Sequence, residues 1–434
     1  MTSPGVAAGG LAGLRRIAII CADFPPIQSG EAGHALHLAR AMARRGLETH
    51  VLTSQITGHA SDPTFTIHAD MPSWSWSSLP RLVRFLRRTS PDAVVFLFLS
   101  TMYRSHAMMT FLPTIVRAVV PHAVTVTQFE HAGTEPHDHS LTHRIIRKGV
   151  ATLIGSRSSS YEFGTLLRDS DQVIALNEPH RLALVEHWPP VTQRISTIPP
   201  PPLMRIVPPD GGRARERGRR MLGARDDEIL LLYYGYIYPG KGVETLIDAL
   251  QLVARAEPRV RLIVAGAILE HVFSGGPNSH SINYKSALHE QAARLGVADR
   301  ITWTGATSPD GEEGSLYMWA ADVCVLPFDR GIQLNNSTFS AAASHGLPVI
   351  TTRGPLLETP FVHGDNVWLC EPRNPEALAA AMHTLVSQEP IRRVLGAGAH
   401  ELATELFSWD AAVTRTLDLI QLSRSQRGSA RRSA

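Results

Sequence analysis

Two hydrophobic periods alternate along this chain. Short runs of apolar and β-branched residues occur at Arg16–Phe24, Thr49–Ser54, Asp92–Ser100, Ala123–Glu130 and Gln172–Glu178. Between them lie longer stretches with helical spacing, such as Glu31–Arg45 and Leu82–Arg88. Near-continuous apolar strands separated by helices are the pattern of a parallel sheet covered on both faces.

A proline-rich break follows, IPPPPLMRIVPPDGG at Ile198–Gly212. Proline continues neither a helix nor a central strand, so the break is predicted to be a linker. The alternation then resumes. A strand at Glu228–Tyr236 leads into a helix at Val243–Ala256, and RLIVAGA, RITWTG, DVCVLPF and LPVITT supply further strands. The pattern predicts two α/β domains, each a doubly wound Rossmann-like sheet. The expected boundaries are a flexible start over 1–14, a first domain over 15–200, a linker over 201–212 and a second domain over 213–406. An amphipathic helix is expected over 407–424, and the polar stretch 425–434 is expected to be disordered.

Composition narrows the classes. A chain of 434 residues exceeds the size at which one core usually splits into domains. Hydrophobic content of 44% and charged content of 19% describe a globular protein, and a net charge of +3 gives no case for nucleic acid. Cys21, Cys324 and Cys370 stand far apart, which argues against a disulfide framework or a structural zinc site. The first sixteen residues lack a long apolar core, and no apolar run reaches the length of a membrane span, so a cytoplasmic protein is expected. Lysine occurs only at Lys148, Lys241 and Lys285, which draws attention to each.

Three stretches carry candidate chemistry. In YGYIYPGKGVETLIDAL a strand runs through a glycine loop into a helix. Gly240 and Gly242 allow close approach of a ligand, the helix start favours an anion, and Lys241 adds a full charge. The plain alternative is a strand-to-helix turn with an exposed lysine. In the second stretch, Pro327–Pro360, the polar residues Asn335, Asn336, Ser337 and Thr338 sit where a small-residue helix begins. They suit a diphosphate, or ordinary N-capping. In the third, Gly30 and Gly33 flank the first helix start without forming G-x-G-x-x-G, which argues against a dehydrogenase.

Together these stretches resemble the retaining glycosyltransferases of the glycogen-synthase-like group, the glycosyl transferases group 1. The resemblance covers nearly the whole chain. It is carried by Pro25-Pro26 and Ser29-Gly30 before RRGLETHVLT, by Gly235-Tyr236 and Lys241-Gly242, by AADVCVLPF, by HGLPVITTRGPLLE ending at Glu358, and by Phe407-Ser408-Trp409. Three positions depart from the family pattern. Its paired glutamates are Gln333 and Ala341 here, and the arginine that partners the lysine is Tyr236.

The resemblance implies a GT-B fold whose two domains face a cleft, with the C-terminal helix returning to the first domain. It implies transfer of a sugar from a nucleoside-diphosphate sugar to an unknown acceptor, with retention and with neither cofactor nor metal. Lys241, Gln333, Glu130 and His131 are the implied catalytic group. Gly30, Tyr236, Gly240, Lys241, Gly242, Asn335, Asn336, Ser337, Thr338 and Glu358 are the implied donor-binding set. A catalytically silent partner subunit and a sugar-nucleotide epimerase are the competing readings. Two lesser features stand beside these. His131, His137, His139 and His143 invite a metal reading, but ordinary loop polarity is the simpler account. Arg81, Arg84 and Arg88 share a helix face, which suits either weak peripheral contact with a membrane or an ordinary amphipathic helix over a sheet.

Overall fold

In a computed structural model the strand β1, Arg16–Ile20, sends alternate side chains into two different cores. Ala18 and Ile20 enter one; Ile17 and Ile19 enter the other. β4, Ala93–Phe98, divides the same way, with Val94, Phe96 and Phe98 on one side and Ala93, Val95 and Leu97 on the other. That is why these segments read as unbroken apolar runs: neither sheet face meets water. The structure describes residues 13–58, 61–132, 163–269 and 284–433.

The chain divides into two units, Met1–Pro199 with Trp409–Ala434, and Pro200–Ser408. The first holds β1, β2 (Glu48–Ser54), β3 (Thr66–Met71), β4, β5 (Val124–Phe129), β6 (Gln172–Ala175) and β7 (Ile195–Thr197). They form one seven-stranded sheet in the order β3-β2-β1-β4-β5-β6-β7, every pair parallel. The second holds β8 (Ile229–Tyr234), β9 (Val260–Ala265), β10 (Ile301–Gly305), β11 (Val323–Leu326), β12 (Val349–Thr352) and β13 (Trp368–Cys370), in the order β10-β9-β8-β11-β12-β13, also all parallel. Each order reverses once, between β1 and β4 and between β8 and β11. Ligands of doubly wound sheets bind at such points, beyond the carboxyl ends of the strands.

The predicted linker is fixed to the second unit. Met204 lies in that unit's core, and Val207 packs with Ala214 and Leu316. The Trp319 indole donates to the Val207 carbonyl at 2.9 Å. The last helix belongs to the first unit, where Ala412, Val413, Leu417 and Ile420 join the core beneath β1 and β4. It runs from Trp409 to Ser433, which corrects the expectation of disorder from 425 onward. The polar side chains find partners in the sheet instead of needing water. Ser423 accepts from Gln172 at 2.9 Å, and the Arg427 guanidinium reaches both Asp171 oxygens at 2.6 Å and the Ala123 carbonyl at 3.0 Å.

Candidate functional site

In the second unit the loops after β8, β9 and β11 pack backbone against backbone at the switch point. A Cβ on Gly266 would fall 1.8 Å from the Gly235 carbonyl, and one on Gly242 would fall 1.9 Å from the Pro327 carbonyl. Larger residues cannot enter, so these glycines bring the β8 loop and the end of β11 into contact. Gly235 itself faces the start of the Ser337–Ser344 helix through the Thr338 hydroxyl.

Tyr238-Pro239-Gly240-Lys241 is a closed turn: the Lys241 N–H donates to the Tyr238 carbonyl at 3.1 Å. Proline at the second position and a glycine with φ of 98° at the third are the chemistry of a type II turn. Gly242 then caps the Val243–Ala256 helix, with φ of 73° and no capping side chain. The turn carries the Lys241 ammonium between two rings. It lies 4.9 Å from the centre of Tyr238 and 4.8 Å from that of Phe328. Each such contact is worth about 0.5–2 kcal/mol, depending on how dry it is.

The second polar stretch is a built loop. The Gln333 N–H donates to Asn336 Oδ1 at 2.7 Å and the Asn336 N–H to the Gln333 carbonyl at 3.0 Å. Asn336 is thereby used within the loop, and no side chain caps the helix that begins at Ser337. The buried Asn335 Oδ1 has no hydrogen-bond partner among the described residues. Glu358 is buried, and its Oε2 accepts the Leu334 N–H at 2.6 Å. This glutamate therefore anchors the loop through one oxygen. The side chain of Ala341, where the family has its second glutamate, is inside the hydrophobic core. At the helix end His345 is neutral: burial lowers its pKa to about 4. Its Nδ1 donates to the Ala341 carbonyl at 2.7 Å, so its Nε2 accepts from the Ser315 hydroxyl, also 2.7 Å away.

In the first unit the ends of β1 and β5 meet the start of the Gly30–Arg44 helix, α1. Ser29 caps α1 by accepting from the Ala32 N–H at 3.1 Å. Beside Gly30 the space is open. Asp23, Glu31 and Glu130 gather here. Burial raises all three carboxyls, and the Glu31 charge adds to the rise at Glu130, which is pushed up to about 8. Gln128 orients Glu130: its amide nitrogen lies 2.7 Å from Glu130 Oε1 and 3.0 Å from His34 Nε2. His34 is held neutral, its pKa lowered to about 3 by burial and by His37. His131 is exposed and turns its ring edge to His180, 5.2 Å between centres.

The proposed residues thus form two groups, one in each unit. Gly235 to Gly242 and Gln333 to Thr338 come together in the second unit with Glu358. Gly30, Glu130 and His131 belong to the first. Sequence reasoning missed Asp23, Glu31, Gln128 and His34 there, and Tyr238 and Phe328 in the second. A visible signal was Glu31 in the first turn of a helix capped by Ser29. His137, His139 and His143 lie outside the described residues. Among the described residues no three His, Cys, Asp or Glu side chains are gathered to hold a metal ion. On the Leu79–Thr89 helix Leu82, Phe85 and Leu86 are buried, while Arg81, Arg84, Arg87 and Arg88 are exposed. Among the described residues no helix is long and apolar enough to cross a membrane.

Comparison with known proteins bears on residues 214–402 and on the fold. The family model for glycosyl transferases group 1 matches residues 214–402. A D-inositol 3-phosphate glycosyltransferase of Streptomyces bingchenggensis is 29% identical over 256 residues, 58% of this chain and 52% of that protein, so the chain spans about half the length of that curated relative. The enzyme of that name from Thermobispora bispora is 25% identical over 431 residues, 94% of both chains. Among solved structures, Anabaena HepE in complex with UDP and glucose has a TM-score of 0.66 at 15% identity, covering 94% of this chain and 99% of that one. A Rickettsia africae glycosyltransferase reaches 0.67 at 13% identity, covering 95% and 99%. Residues 214–402 thus match the glycosyl transferases group 1 family, and the two parallel-sheet units have the GT-B fold of the structural neighbours.

Proposed function

We propose that this protein transfers a sugar from a nucleoside-diphosphate sugar to an acceptor hydroxyl, with retention and without a metal ion. The observation that carries the reading is the contact of Gly235, in the loop that leads through Lys241 to a glycine-capped helix start, with Thr338 in the first turn of the uncapped Ser337–Ser344 helix. Both helix starts favour an anion, and Lys241 supplies charge that a metal supplies elsewhere. As the bond from the anomeric carbon to the diphosphate breaks, these groups take up the departing charge, about 3–4 kcal/mol for each well-placed donor. The acceptor oxygen bonds to that carbon, and its proton passes to the leaving phosphate. Gln333 hydrogen-bonds the sugar through its amide. The Asp23, Glu31 and Glu130 group near Gly30 is the candidate acceptor subsite.

HepE, a structural neighbour, is solved with UDP and glucose, which makes UDP-sugars the first donors to try. The relatives' names make an inositol phosphate the first acceptor. The exposed arginines of Leu79–Thr89 support a weak peripheral contact with an anionic membrane surface, and the three free cysteines suit the reducing cytoplasm. The rival reading is a silent fold, favoured by Ala341 where the family's glutamate stands. Release of nucleoside diphosphate from a panel of donors separates the two: release supports the transferase, and none with any donor supports the silent fold.

A further inference from the structure

We propose that Tyr238 and Phe328 are positioning residues for Lys241, forming an aromatic clamp that fixes its ammonium before a phosphate arrives. Lysine is a long, flexible side chain, and an unrestrained ammonium at this turn samples many positions. Here two independent elements confine it. Tyr238 comes from the same type II turn, three residues before Lys241. Phe328 comes from the end of β11 and is buried. Its backbone is fixed in turn: its N–H donates to the Leu326 carbonyl at 2.9 Å, and its own carbonyl accepts from the Thr352 hydroxyl and the Gly331 N–H. The Nζ stands 4.9 and 4.8 Å from the two ring centres, so the clamp is nearly symmetric. Asp329, next to Phe328, pairs through Oδ2 with Arg373 Nε at 2.9 Å. Ring faces attract a cation without neutralising it, and they leave its N–H bonds able to turn to a phosphate at the rim. A carboxylate partner would hold the ammonium and cancel the charge the phosphate needs. The positioning role rests on Lys241 as a diphosphate contact; the clamp itself does not.

The chain contains three lysines, so reductive methylation with carbon-13 formaldehyde gives a spectrum simple enough to assign with Lys241→Arg. The Lys241 methyl signal is expected upfield of the other two through ring currents. It should return toward their position in Tyr238→Leu and in Phe328→Leu and stay upfield in Tyr238→Phe. UDP binding by calorimetry is the second readout. Each leucine variant is expected to weaken UDP about threefold to tenfold. Tyr238→Phe should bind as the wild type does, and neither leucine change should have further effect in a Lys241→Met background. A Lys241 signal coincident with the other lysines overturns the clamp. Equal weakening of UDP with or without Lys241 overturns the positioning role. Tyr238 is only half-buried, so its variants keep the test open if Phe328→Leu does not fold. A wild type that binds no nucleoside diphosphate overturns both the positioning role and the functional reading, while the methyl spectrum still decides the clamp.

Discussion

A Cβ on Gly235 would stand 2.8 Å from the Thr338 hydroxyl, so the loop after β8 is in contact with the start of the Ser337–Ser344 helix. Gly235 has φ of 120°, a conformation L side chains rarely adopt. Gly235→Ala is therefore expected to lower stability by about 1–3 kcal/mol through backbone strain and to displace Thr338. Chemical denaturation should show the loss, and UDP affinity should fall with it. Unchanged stability and affinity would show that the contact is not required.

Glu130 gives a pH dependence with a definite sign. Its carboxyl is raised from 4.5 to about 8, so the folded protein binds that proton more tightly than the unfolded chain does. Its contribution is fully present below 4.5 and is lost as pH rises through about 8. Glu130→Gln keeps the neutral shape. The variant's melting temperature should gain on the wild type as pH rises from 5 to 9, and a gap that is constant with pH would contradict the shift.

How much of this was legible beforehand depends on how local each signal is. β1 and β4 could be read because both faces are buried, leaving uninterrupted apolar runs. β13, Trp368–Cys370, escaped because three residues carry no period, and β3 escaped because most of its residues are only half-buried. The Lys241 loop was readable because turn, charge and helix start are contiguous. The group of Asp23, Glu31 and Glu130 was not, because the sheet assembles it from residues about a hundred positions apart. Glu358 shows the converse: a residue quoted for its family motif uses one carboxylate oxygen to anchor Leu334. The end of the chain misled for a different reason. Its arginines and serines read as solvated, yet Arg427 and Ser423 pair with Asp171 and Gln172.

The arginine face should act only through charge, since the apolar side of the Leu79–Thr89 helix is used by the core. Arg81 and Arg88 are partly engaged by Asp70, which leaves Arg84 and Arg87 the freer cations. Binding to phosphatidylglycerol vesicles is expected, weakened by salt and abolished in Arg84→Glu/Arg87→Glu. Equal sedimentation of the double variant with these vesicles would remove the membrane contact.

Lys241 is proposed to stabilise a departing diphosphate without a metal. The most direct measurement of this is the initial rate of nucleoside diphosphate release from a panel of nucleotide sugars, UDP-glucose first, in the presence of a chelator. Wild type and Lys241→Ala are compared, with folding checked by melting temperature. Release by the wild type in chelator is expected, falling by about a hundredfold to a thousandfold in a folded Lys241→Ala. No release from any donor, release only after a divalent ion is restored, or wild-type rates in Lys241→Ala would contradict the account.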